Sequence, residues 1–415
     1  MTAIHDSKTH VQKYELYGQA FKAEAYAVYA RMRQEDPVCR QYRPDGEPIW
    51  FVTRYADVEA VLLDHTRFVK DLSNALTPEE LGAERPRSTP ELDRLLFEHM
   101  LTADGTDHRR LRSLVTKAFT PRMVEGLQGR VQMIADDLIE RIQEQQETDL
   151  IEAYVFPLPI IVIAELLGIP PDHRDRFRLW SNAFISPPYN PTYDREEFVR
   201  LMKEFTDYLR QIFVEKRQHP QDDLITGLLE AEEAGDRLNE EELFSMVLLL
   251  IVAGHETTVN LIGNGVLALL QHPGQLEKLK FDPSLMKSGI EEMLRYDSPV
   301  ERATLRWTTE DVEMHGQVIP RGEIVRAVLG AANRDPAQFD DPDTFHITRP
   351  NNKHLSFGLG RHYCLGAPLA RLEARIAIET LIRRMPDIQL NAPVTELRWR
   401  DNPVIRGLEK LPVAW

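Results

Sequence analysis

The chain has 415 residues and a mass of 47.9 kDa, with 42% apolar residues, 28% charged residues and a net charge of −16. That length carries a large core without covalent staples. Its two cysteines, Cys39 and Cys364, exclude a disulfide framework and any CxxC zinc or redox motif, and the acidic balance argues against a general nucleic-acid binder.

The opening MTAIHDSKTH lacks the charged-then-apolar order of a secretion signal. The longest apolar stretch, 155–169, holds Pro157, Pro159 and Glu165 and is too short for a bilayer. The expectation is a cytoplasmic protein with no membrane anchor. With no repeat and no Gly/Ser linker, one domain over 1–415 is expected.

Helical signals dominate the chain. Apolar periodicity predicts a helix over 25–34, stopping before Asp36-Pro37, and a strand over 49–53. Further helices are predicted over 108–118, 124–146, 160–167 and 195–217. Short proline-rich stretches at 86–90, 187–191 and 341–350 read as loops. A long helix is predicted over 240–271, opened by Asn239 and Glu242 in a capping-box pattern and by acids at its N-terminus. About 30 residues at 1.5 Å each make a rod of roughly 45–50 Å. Residues 246–253 are apolar on every face, so its middle must be buried. Strands follow at 303–308, 312–315 and 324–329, and 404–405 with 411–414 predict a terminal hairpin. The sum is a mainly α protein with small β-sheets.

Residues 357–366 read FGLGRHYCLG. Glycines at 358, 360 and 366 permit unusual dihedrals and close backbone approach. Pro368 favours the start of a helix over 369–384. A cysteine just before a helix N-terminus meets inward-pointing N–H groups and the positive end of the dipole, which stabilise a thiolate. A lone thiolate in such a bed suits an axial ligand to haem iron. The competing reading is a buried structural cysteine in a tight turn. Phe357, Gly358, Gly360, His362, Cys364 and Gly366 together resemble the haem-binding loop of the cytochromes P450. Six specified positions at roughly one in twenty each give a chance match of order 10⁻⁸.

The resemblance extends over nearly the whole chain. The AGHETT segment at 253–258, ERATLRW at 301–307 and the C-terminal RGLEKLPV resemble soluble bacterial P450s of the group that includes macrolide and other natural-product hydroxylases. It implies the P450 fold, with haem b between the long central helix and the cysteine loop. Cys364 is implied as the iron ligand. Glu292 and Arg295, on one helix face by their spacing, match the structural ExxR pair, with 333–335 close by. Thr257 is implied as the alcohol beside dioxygen and Glu256 as the acid of a proton relay. Many relatives carry Asp at the latter position, so Glu lengthens the relay arm. His108, Arg112, Arg306 and His362 match propionate-binding positions, where charge-assisted hydrogen bonds are strong. Ala253, Phe357, Gly358 and Gly366 complete the haem contacts.

By the same resemblance the substrate pocket is lined by Leu95, Leu96, Leu101, Leu249, Val252, Val300, Ala303, Val404 and Ile405, with 180–195 as a gate. The expected substrate is bulky and mostly apolar: a polyketide, terpenoid, steroid or fatty acyl group. Electrons are expected from NAD(P)H through a ferredoxin or flavodoxin and its reductase, to a monomer with no reductase domain of its own. A basic patch of Arg109, Arg110, Lys117, Arg361 and Arg375 is the expected docking site. Two other functions fit a haem protein. A peroxygenase taking oxygen from H₂O₂ would generally lack the acid–alcohol pair that is intact here. A non-catalytic haem sensor or carrier would leave Glu256 and Thr257 idle.

Overall fold

The computed structural model describes residues 13–43, 46–84, 99–173, 176–177, 179–180, 195–231 and 235–415. Leu95, Leu96 and most of the expected gate lie outside them. The helices that build the site are α1 (Gly18–Glu35), α2 (Gly105–Ala118), α3 (Gln128–Gln143), α4 (Pro157–Leu166), α5 (Arg195–Gln218), α6 (Glu240–Gln271), α7 (Met286–Tyr296) and α8 (Ala367–Arg384).

The 32-residue α6 is the axle of the molecule. The Asn239 side chain accepts from Glu242 N–H at 2.9 Å, and Glu242 Oε2 accepts from Asn239 N–H at 3.0 Å, so both orphan donors are satisfied. The helix stops at Pro273, which cannot continue it and instead opens the next one. It is also the one helix among the described residues long and apolar enough to cross a membrane, and 72% of its apolar window is buried inside the protein. It packs against α4, α7 and α8 in the largest core cluster. A glycine inside a helix costs about 1 kcal/mol against alanine. Gly265 is tolerated because a Cβ there would stand 2.7 Å from Met293 Sδ of α7, closer than two packed atoms allow.

The β-structure is small and lateral. A five-stranded sheet has the order β1 (Val38–Tyr42), β2 (Pro48–Val52), β8 (Ile324–Ala327), β5 (Arg306–Thr308), β3 (Phe68–Val69), with β2 and β8 parallel and the other pairs antiparallel. It covers two further core clusters, one of them closed by α1. β6 (Val312–Met314) and β7 (Gln317–Ile319) form a hairpin.

The C-terminal prediction is corrected. β10 (Pro412–Ala414) does not pair with 404–405; it lies between β4 (Glu147–Asp149) and β9 (Gln389–Leu390). Ile405 instead bridges Val300. The predicted helix over 124–146 is also divided, into Pro121–Gly126 and α3.

Candidate active site

The cysteine loop is built by backbone geometry. Gly358 and Gly360 adopt φ of 69° and 73°, a region that costs a side-chain-bearing residue strain. Those turns fold the chain back so that Cys364 N–H donates to Phe357 O at 2.9 Å. α8 then begins at Ala367 with Pro368 in its first turn. The thiol of Cys364 receives the N–H groups of Gly366 and Ala367. Burial pushes the thiol up, while those donors and the charges of Arg112 and Arg371 pull it down toward thiolate. The residue is nevertheless solvent-accessible, so it opens onto a space rather than into packed core.

A second opening lies in the middle of α6. Residues 246–249 and 258–269 are buried, yet Ala253 is exposed and Val252, Gly254 and Thr257 are half-buried. A helix enclosed at both ends and bare at its centre leaves that stretch open to a ligand. The Thr257 hydroxyl donates to Ala253 O at 2.7 Å. Glu256 is buried, and desolvation raises its carboxyl to about 7 against the opposing pull of Arg400.

Around Cys364 stands a cluster of basic side chains, with Asp104 as a nearby anion. His108 and Arg306 are buried, and both ring nitrogens of His108 and the Nε and Nη1 of Arg306 lack hydrogen-bond partners. The His108 and His362 rings stand 4.3 Å apart. Burial, reinforced by neighbouring basic groups, holds His108 down at about 4 and His362 at about 2; burial alone, against the opposing pull of Asp104, brings Arg306 to about 10. Arg112 is half-buried and close enough to Cys364 for their charges to interact. Sequence reading missed two members. His65 packs edge-on to His362, and the buried Lys70 donates to Leu305 O at 2.9 Å and to Thr304. Neither lies in a recognisable motif; only the fold brings them in.

This donor set fits haem b. Buried, unpartnered donors cost free energy until something accepts from them. Two propionates would supply the acceptors and the negative charge, and the accessible thiol of Cys364 could supply a sulfur ligand to the iron.

Glu292 and Arg295 are both fully buried and joined by two hydrogen bonds of 2.7 and 2.8 Å. Arg295 also donates to Asn333 O at 3.0 Å, and Arg349 and Asn352 donate to Glu292. Of the expected pocket residues, Val300 and Ile405 are bridged, and Arg302 N–H donates to Val404 O at 3.0 Å. Leu249, Leu101 and Val252 pack on the main core, and Val300 and Ala303 on the second. The basic patch is thinner than expected. Arg110 is taken up by Glu242 and by Asp236 at 3.4 Å, and Arg375 pairs with Glu379 at 3.7 Å, while Arg109 and Arg361 are exposed.

The cytochrome P450 family profile matches residues 173–282 and 284–386. Cytochrome P450 107B1 of Saccharopolyspora erythraea is 49% identical over 397 residues, 96% of each chain. The solved structure of PksS, the bacillaene polyketide synthase P450 of Bacillus subtilis 168, superposes with a TM-score of 0.89 at 42% identity, covering 97% of this chain and 99% of that one. Myxobacterial CYP267B1, solved with myristic acid, gives 0.88 at 45% identity over 96% and 98%. A cysteine loop beside buried, unpartnered basic groups on this fold fits a haem protein of the oxygen-activating kind. The chain belongs to the cytochrome P450 family and is a P450 monooxygenase with haem b as its cofactor. The family implies a small-molecule substrate and a redox partner of the ferredoxin kind.

Proposed function

We propose that the protein uses two electrons from NAD(P)H, relayed by a ferredoxin and its reductase, to insert one atom of O₂ into a C–H bond of a bulky, mostly apolar acyl or polyketide-like molecule. The other atom leaves as water with two protons. The observation that carries this reading is the pairing of a thiol in a bed of N–H donors with a bare stretch, 252–257, in an otherwise buried helix. The kinship with a polyketide synthase P450 and with a P450 solved with a fatty acid supports the substrate class.

When bound, haem supplies the oxygen activation and the oxidising power. Cys364 would hold its iron, with the Gly366 and Ala367 N–H groups favouring the thiolate against burial. His108, Arg112, Arg306 and His362 would donate to the propionates. Glu256, with its carboxyl near 7, is poised to give and retake a proton at working pH. The Thr257 hydroxyl, now turned to Ala253 O, passes that proton toward the open stretch. Apolar neighbours such as Val252 and Ala253 orient the substrate and exclude water. Arg109 and Arg361 offer positive charge to an acidic partner near the cysteine loop. The test is turnover of a fatty acid or macrolide panel under ¹⁸O₂ with ferredoxin, its reductase and NAD(P)H. One labelled oxygen in product, lost in Cys364→Ser, is expected. Product that appears only with added H₂O₂, without the partners, contradicts the reading.

A further inference from the structure

The charged group that acts on Glu256 comes from the C-terminal segment. Arg400 Nη1 stands 3.9 Å from Glu256 Oε1, too far for a hydrogen bond and close enough for strong attraction. The Glu256 side chain is 10% exposed and that of Arg400 30%, so Arg400 stands on the solvent side. Its own position is fixed. Arg400 N–H donates to Gly407 O at 2.8 Å, and Nε donates to Leu408 O at 3.2 Å.

The same segment lies along a polar stripe of α6. Glu256, Asn260 and Asn264 are four apart on one face, and all three are buried. Gly407 packs so tightly on the Asn260 carboxamide that any Cβ at 407 would collide with it. Asn264 Nδ2 donates to Arg406 O at 3.0 Å. Asn260 Nδ2 and Asn264 Oδ1 are buried without partners, a donor and an acceptor that invite bound water. The next residue, His255, engages Phe156 O at 3.1 Å, toward α4, so it does not share the carboxyl with Arg400.

We propose that Arg400 is a positioning residue for Glu256: it holds the carboxyl toward the C-terminal segment and solvent, and yields it to the Thr257 side when a proton is to be passed inward. The proposal rests on the reading of Glu256 as the relay acid. A guanidinium keeps its charge and does not give up a proton itself. Arg400 acts through its field and through the loose 3.9 Å contact, which leaves the carboxyl free to turn.

The experiment is an infrared difference titration of the haem-loaded protein, with the Glu256 band assigned by its loss in Glu256→Gln. Product per NAD(P)H is measured in parallel across the same pH range. Removing a nearby cation raises a carboxyl. Arg400→Gln should move the Glu256 midpoint up by about one pH unit. The fall of coupling at high pH should move with it, and Arg400→Lys should restore both. High salt, which screens a half-exposed guanidinium, should move the wild-type midpoint the same way without any substitution. A midpoint indifferent to both Arg400→Gln and salt, with coupling lost in Glu256→Gln, overturns the role of Arg400 alone. Wild-type coupling in Glu256→Gln overturns the relay reading beneath it.

Discussion

The Glu292–Arg295 pair and the His108–Arg306 group are both buried clusters of ionisable side chains, and they are completed to different degrees. Every N–H of the Arg295 fork that the structure describes finds an acceptor, among them Glu292, Asn333 O, Pro342 O and Thr344 O. Glu292 in turn accepts from His346 N–H, Arg349 and Asn352. His108 and Arg306 are as deeply buried and end in bare nitrogens. A buried ion pair is affordable when its hydrogen bonds are complete. Buried donors without acceptors are tolerated only when something else arrives to accept. We read the complete cluster as scaffold and the incomplete one as the mould of a cofactor.

Breaking the complete cluster should have the largest effect. Glu292→Ala leaves Arg295 as an uncompensated buried charge, which costs about 3–5 kcal/mol. Chemical denaturation should show most of the fold's stability gone, and an unchanged midpoint would refute the scaffold role.

Arg306→Ala should act the other way round. The haem-free protein should be no less stable, because an unpartnered guanidinium has been removed. Haem affinity should fall about ten- to hundredfold, the worth of one charge-assisted hydrogen bond. Equal losses of stability and haem affinity would erase the distinction between the clusters.

A pH experiment sharpens it further. Burial, then Arg112, holds folded His108 at about 4, below the usual value of 6.5. The unfolded chain therefore binds more protons between those values. This contribution to the stability of the haem-free protein is full above about 6.5 and is lost as pH falls toward 4. Part of that acid sensitivity should vanish in His108→Asn, and an identical pH slope in the variant would contradict it.

The smallest effect belongs to the exposed charges. Arg109→Glu with Arg361→Glu should slow ferredoxin-driven reduction severalfold at low salt and little at high salt, since screening removes long-range attraction. Haem binding should not change. A rate indifferent to salt and to both substitutions would remove the docking patch.

What was legible in the sequence follows from how local each feature is. The cysteine loop and the central helix are contiguous strings, so Gly358, Gly360, Cys364, Glu256 and Thr257 could be read directly. The cap at Asn239 was equally local. His65, Lys70 and Arg400 were not legible: each is an isolated cation whose meaning comes from a neighbour far along the chain. The terminal hairpin failed for the same reason. β10 pairs with β4 more than 250 positions upstream, and no local pattern specifies such a partner. Arg110 was misread because its acceptor, Glu242, belongs to the cap of another helix.

The central claim is that Cys364 presents a thiolate to haem iron. It is tested most directly by the absorption spectrum of the reduced, carbon monoxide-treated protein beside Cys364→Ser. The account predicts a Soret band shifted far to the red in the wild type, as thiolate ligation gives, and its loss in the variant. A wild-type band typical of histidine ligation, or a red-shifted band that survives in Cys364→Ser, would contradict it.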